Sequence, residues 1–180
     1  MAAIRDRKTR RLDKGLIAEA VHHAVCEVTK TDGLDQCLHY VFAGSSLFER
    51  IYRRRHMVQV GTLTIITNTT PPYTARVCGE GCNLDEGDFH AWIACIEGDG
   101  ALIDFSARQY RPMTHGSVFG WEREDPPSYV WFDRQHCPDW LLFDPSKDAT
   151  YEYYVTRHMD FPGGKQLIAL AWNKYKEMTR

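Results

Sequence analysis

The stretch FHAWIACIE-GDG-ALIDFSAR, residues 89–108, constrains this chain more than any other. Two runs rich in aliphatic and aromatic residues flank Gly98-Asp99-Gly100, the pattern of a β-hairpin. Each run carries one ionisable residue among apolar ones: His90 in the first, Asp104 in the second. A polar group placed in a buried strand needs a partner. In such a strand His90, Trp92, Ala94 and Ile96 share one face. With the loop centred on Gly98, Trp92 stands opposite Asp104. His90 is then the diagonal same-face neighbour of Asp104, with backbones roughly 5.5–8 Å apart. A carboxylate reaches an imidazole N–H over that span, fixes its tautomer and stabilises the charged ring. Moving the loop centre by half a residue puts the two on opposite faces, so the register decides the pair.

A chain of 180 residues suggests one domain. Residues 1–11 are polar and basic and are expected to form a flexible arm, leaving 12–180 as a single domain. Leu16, Ile17, Ala20, Val21, Ala24, Val25 and Val28 recur at helical spacing, which predicts a helix over 11–30 with one buried stripe. A second helix is predicted over roughly 35–54, with Asp35 as N-cap and Leu38, Val41, Phe42, Ser45 and Phe48 facing inward. Strands are expected at 56–68, 89–97, 101–108, 126–133, 140–145 and 149–157, a loop at 74–88, and a closing helix at 163–178. Helices first and mostly antiparallel strands afterwards define an α+β class, with N-terminal helices packed on an antiparallel sheet.

Composition excludes several kinds of function. The net charge of −2 gives no whole-protein attraction to nucleic acid or to an anionic membrane, and Arg53, Arg54 and Arg55 read as a solvated helix end. No run approaches the roughly 20 apolar residues of a membrane span, and no apolar signal core follows the basic start. A cytoplasmic protein is expected. Its six cysteines, thinly spread, are expected to be reduced thiols rather than a disulfide framework.

One of them stands apart. In DQCLHYVFAG, residues 35–44, Cys37 falls in the first turn of the predicted second helix. Unsatisfied N–H groups and the positive end of the helix dipole favour a thiolate there, and the same N–H groups can hold an oxyanion. Gln36 adds an amide donor beside it. Of the eight histidines, His90 is the one inside an apolar strand. The order Cys37, His90, Asp104 therefore reads as nucleophile, general base and orienting carboxylate.

With these residues in view, the chain resembles the transglutaminase-like branch of the papain-like cysteine enzymes. The matching stretches are DQCLHYVFAG, GDFHAWIAC and ALIDFS, spanning about 35–110. They follow the family pattern of a cysteine at a helix start, then a His-aromatic-aliphatic strand, then an Asp about 15 residues on. The strand TLTI and the CL…HAW pairing are similar to lasso-peptide maturation proteases. Where the family often has tryptophan or glycine before the cysteine, this chain has Gln36. The resemblance implies a papain-like or transglutaminase-like fold and thiol-dependent acyl transfer on a peptide or protein amide. Water as acceptor makes a peptidase, amidase or deamidase; an amine makes a transamidase. This chemistry requires no metal or organic cofactor.

Two other readings stay open. Cys78, Cys82, His90 and Cys95 form C-x3-C-x7-H-x4-C, which could supply four zinc ligands to a binding module. The chain could also be an inactive, peptide-binding member of the fold. Trp92 and Trp121 are expected to line a substrate cleft, because buried indole N–H groups seek partners near open walls. Cys37 is expected to be the most acidic thiol.

Overall fold

The computed structural model describes residues 2–80, 88–98, 100–114, 121–146 and 163–180, without the side chains of residues 2–12 and 134. Two long helices come first, α1 (Ala2–Thr29) and α2 (Cys37–Tyr52). The strands follow as β1 (His56–Ile66), β2 (Ala75–Cys78), β3 (His90–Cys95), β4 (Leu102–Asp104), β5 (Val130–Phe132) and β6 (Leu141–Pro145). A one-turn helix α3 (Tyr110–Met113) sits between β4 and β5, and α4 (Gly164–Met178) closes the chain. The sheet is antiparallel in the order β2-β1-β3-β4-β5, with β6 also on β1. The class is α+β.

The sheet buries both faces. On β3, Ala91, Ile93 and Cys95 join the helix-side core with Ile17, Val21 and Leu47. His90 and Trp92 alternate to the other face, where their rings meet Phe143. That second cluster holds Leu63, Ile65, Tyr110 and Leu141, with Trp121 and Trp140 at its margin. Helix α2 packs against the Phe105 ring, just past β4, in the space that Gly44 leaves by having no side chain. A Cβ there would lie 2.2 Å from Phe105 Cδ2.

The hairpin register is the one centred on Gly98. Ile93 pairs with Ile103 and Ala94 with Leu102, each pair summing to twice 98. The ladder is short, so β4 ends at Asp104 while β3 continues back to His90. Along β1, His56–Gly61 pair with β3 and Leu63–Ile66 with β2. The two neighbours meet end to end at Gly79, whose would-be Cβ lies 2.6 Å from Phe89 Cα. Gly79 has φ +76, so only glycine fits there without strain.

Four sequence expectations differ from this structure. Helix α1 begins at Ala2, through the stretch expected to be a flexible arm; its Ala, Arg and Lys are good helix formers and nothing in it breaks a helix. The loop expected at 74–88 contains β2, an exposed edge strand with no alternation to betray it. In α2 the buried residues are Tyr40, Val41, Ala43, Gly44, Leu47 and Phe48, with Leu38 and Phe42 only partly covered. The N-cap is Gln36, not Asp35, which sits in the left-handed region at φ 58. The strand expected at 149–157 lies outside the described residues.

Candidate functional site

His90 and Asp104 form a buried pair. His90 Nε2 lies 2.6 Å from Asp104 Oδ2, with both side chains 2% exposed or less. The diagonal register and the pleat put them on one face, against Trp92, Tyr110 and Phe143. Asp104 is held on all sides. Oδ1 accepts the Ser106 backbone N–H at 2.7 Å and its hydroxyl at 2.6 Å. Oδ2 accepts the Tyr110 hydroxyl at 2.7 Å in addition to the imidazole. Burial by itself would raise the carboxyl. The His90 charge and the hydrogen bonds from His90, Ser106 and Tyr110 outweigh it and hold Asp104 below its ordinary value.

The other imidazole nitrogen, Nδ1, has no hydrogen bond among the described residues. It is the ring nitrogen nearer the backbone, and the backbone on either side of His90 is where Cys37 stands. The Cys37 thiol donates to the Phe89 carbonyl at 3.8 Å. The Ala91 N–H also faces the sulfur and favours its charged form. These strand groups lie upstream of the short β4 ladder, so the first residue of α2 fills the gap that β4 leaves. No thiol–imidazole hydrogen bond links Cys37 to His90 among the described residues; the thiol proton is turned to Phe89 instead.

Cys37 is not the acidic thiol expected. Burial, followed by the Asp104 charge, pushes it up to about 12, against smaller help from the Ala91 and Leu38 N–H groups. The helix start contributes in the expected direction but loses to desolvation. Cys26, Cys78 and Cys137 are also raised, each chiefly by burial. The resting site is therefore a neutral thiol beside an Asp-anchored histidine.

The remaining candidates divide. Gln36 is the N-cap by backbone position, and its side chain caps nothing. Its amide carries no hydrogen bond among the described residues, and it precedes Cys37 in the chain. Trp92 is not a cleft wall: it is 1% exposed and its indole N–H donates to Gln59 Oε1 at 3.2 Å. Trp121 lies at the margin of the second core cluster, with its N–H on the Glu124 carbonyl at 3.0 Å and its ring against Trp140. Both expectations assumed that the indole N–H would look outward for a partner; each finds one inside the protein.

The zinc ligand set is not gathered. Cys95 belongs to the helix-side core and pairs with His56, while His90 points to the opposite face and gives Nε2 to Asp104. Cys82 lies outside the described residues. Among the described residues no group of three or more His, Cys, Asp or Glu is placed to hold a metal ion. Nor, among them, is any helix long and apolar enough to cross a membrane.

Two members of the network escaped the sequence reading. Ser106, two residues after Asp104, had a signal: Asp commonly accepts the N–H two residues on. Tyr110 had none, because its approach depends on the single turn Ala107–Gln109 that follows β4.

This architecture defines an α+β protein with a buried histidine–carboxylate pair on its sheet and a cysteine at a helix start beside it. The chain belongs to the family described as "Protein of unknown function (DUF2026)", whose model matches residues 17–120. That span contains Cys37, His90, Asp104 and Tyr110. A solved structure described as "The crystal structure of genomics APC5867" is similar in fold, with a TM-score of 0.51 and 13% identity over 92% of this chain and 78% of that one. No curated protein matches the chain.

Proposed function

We propose that the protein is a thiol-dependent acyl-transfer enzyme of the transglutaminase-like, papain-like kind, acting on an amide of a peptide or protein. The observation that carries this reading is the His90 ring: Asp104 holds Nε2 at 2.6 Å, and Nδ1 has no hydrogen bond among the described residues and lies next to the backbone stretch that borders the Cys37 thiol. A histidine needed only for packing has no use for so complete a carboxylate anchor on one nitrogen and none on the other. The unpaired thiols among the described residues fit the cytoplasmic setting expected from the sequence.

The raised thiol sets the order of events. Cys37 is not a standing thiolate, so attack begins from the neutral pair. Rotation about the Cα–Cβ bond turns the S–H from the Phe89 carbonyl toward His90 Nδ1. His90 takes the proton as sulfur bonds to the substrate carbonyl carbon, and Asp104 stabilises the imidazolium. The carbonyl oxygen gains negative charge and meets the N–H groups at the start of α2 and the Gln36 amide. His90 returns the proton to the departing nitrogen as the C–N bond breaks. Water or a second amine then attacks the thioester, with His90 again as base, and Cys37 is regenerated.

An activated ester such as p-nitrophenyl acetate tests this directly. One acetyl group per chain is expected on the Cys37 peptide by mass spectrometry, with release of p-nitrophenol. His90→Gln should slow acylation about 10²-fold or more, and Cys37→Ala should abolish it. Acetylation of exposed Cys137 ahead of Cys37 in folded protein, or a rate unchanged by His90→Gln, overturns the reading.

A further inference from the structure

Asp104 Oδ2 accepts two hydrogen bonds, from His90 Nε2 at 2.6 Å and from the Tyr110 hydroxyl at 2.7 Å. Tyr110 is wholly buried, and its ring meets that of His90 edge-on at 6.4 Å between centroids. A carboxylate oxygen shared between two donors is a weaker acceptor for each than one that serves a single donor. The phenol therefore competes with the imidazole for the negative charge on which the imidazolium depends.

We propose that Tyr110 is a positioning residue that sets the proton affinity of His90 by sharing Asp104 Oδ2, keeping the imidazole a usable base. Its importance for acyl transfer rests on the function proposed above; its effect on the imidazole does not. Burial, then the Asp104 charge and hydrogen bond, raises Tyr110 well above the ordinary phenol value, so it stays neutral and stays a donor. The other titratable groups facing the pair are few among the described residues. Cys37 and Tyr40 approach from α2 and Cys78 from β2, all three raised chiefly by burial, and Cys137 acts on Tyr110 from the turn before β6. From β1, β5 and β6 the facing side chains are Gln59, Leu63, Val130 and Phe143, none of which titrates. Among the described residues His90 is the one cationic group hydrogen-bonded to Asp104, so a lost phenol hydrogen bond falls on the imidazole.

Removing the hydroxyl strengthens the remaining Asp104–His90 bond. In Tyr110→Phe the His90 titration midpoint, followed by NMR of ¹⁵N-labelled histidine in the full chain, should move up by about half a unit or more, roughly a threefold gain in proton affinity. The acid limb of acylation at Cys37 should move up with it. Ser106→Ala removes a donor from Oδ1 alone, which keeps the Ser106 N–H, and should shift His90 less. Site-specific 3-fluorotyrosine at 110 keeps the shape, donates more strongly and should move the midpoint down; it decides the matter if Tyr110→Phe fails to fold. A midpoint unmoved in folded variants, or moved the opposite way, makes Tyr110 a core aromatic and overturns the proposal. Because the titration needs no turnover, absence of acylation with a shifted midpoint refutes the proposed function and spares this inference. The converse result does the reverse.

Discussion

Among the described residues, two histidine–aspartate pairs share the same 2.6 Å contact. His90 and Asp104 come from two strands and are at most 2% exposed. His136 and Asp133 lie three residues apart in a surface turn, with side chains 77% and 34% exposed. Distance therefore says nothing of what each pair can do. In the surface turn, water solvates both charges and ions screen them. In the strands, four donors and the surrounding apolar rings replace water around Asp104, so its charge acts on the imidazole with little solvent screening. A fixed tautomer, a constrained ring and a second nitrogen without a hydrogen bond among the described residues follow from burial and topology rather than from the contact itself.

The largest contrast is in stability. Asp104→Ala leaves His90, Ser106 and Tyr110 without their shared acceptor. Breaking a buried pair from one side costs about 3–5 kcal/mol, enough to lower Tm by roughly 10 °C in a chain of this size. Thermal unfolding by circular dichroism checks this, and Asp133→Ala beside it should lose far less. Comparable losses in the two variants would mean that the buried pair is no better anchored than the surface one.

The next contrast is with pH. Asp104 is held below its ordinary value, so its contribution is present above about pH 4 and is lost as pH falls further. Cys37 runs the other way. Its pKa rises from 9.0 to about 12, so the thiol's contribution is complete below about pH 9 and is lost as pH climbs toward 12. Three pH units at about 1.4 kcal/mol each cap that loss at about 4 kcal/mol. Urea unfolding of wild type and Cys37→Ala between neutral and alkaline pH should show curves that diverge above pH 9, with the variant losing less. Parallel curves would mean that the sulfur is solvated and lies away from the enclosed corner beside His90.

These contrasts show what could be read from the residues. The His90–Asp104 pair was legible because strand alternation and one glycine-centred loop determine it, and both are local. The class and most helix and strand positions were legible for the same reason. The state of the Cys37 thiol was not, since its helix position pulls one way and its burial the other, and burial is a property of the finished fold. Trp92 was misjudged because its partner, Gln59, lies 33 residues away on β1. Tyr110 was invisible because a single turn of backbone decides whether its hydroxyl meets Asp104 or solvent.

A smaller effect separates the pairs by proton exchange. The His90 Nε2 proton, enclosed and donated at 2.6 Å, should appear as a slowly exchanging downfield resonance in water, one that Asp104→Asn removes. The His136 ring proton should exchange too quickly to be seen. A downfield signal that survives Asp104→Asn and disappears in Asp133→Asn would assign the protected proton to the wrong pair.

The smallest effect isolates what the surface pair contributes. Asp133 Oδ1 accepts the backbone N–H groups of Gln135 and His136, both at 3.1 Å, as well as the His136 ring. It is a cap first and an ion pair second. Asparagine accepts the same backbone bonds through its own oxygen, so Asp133→Asn removes the charge and keeps the cap, whereas Asp133→Ala removes both. The His136 hydrogen bond is the main cause holding Asp133 below its ordinary value, and that exposed partner is readily replaced by water. Asp133→Asn should therefore leave Tm unchanged within error at every salt concentration, and Asp133→Ala should lower it slightly. Raising ionic strength should erase any residual wild-type advantage, since the pair is solvated. A salt-resistant loss in Asp133→Asn would show that the surface pair does more than close a turn, and equal contact distances would then deserve more weight than burial.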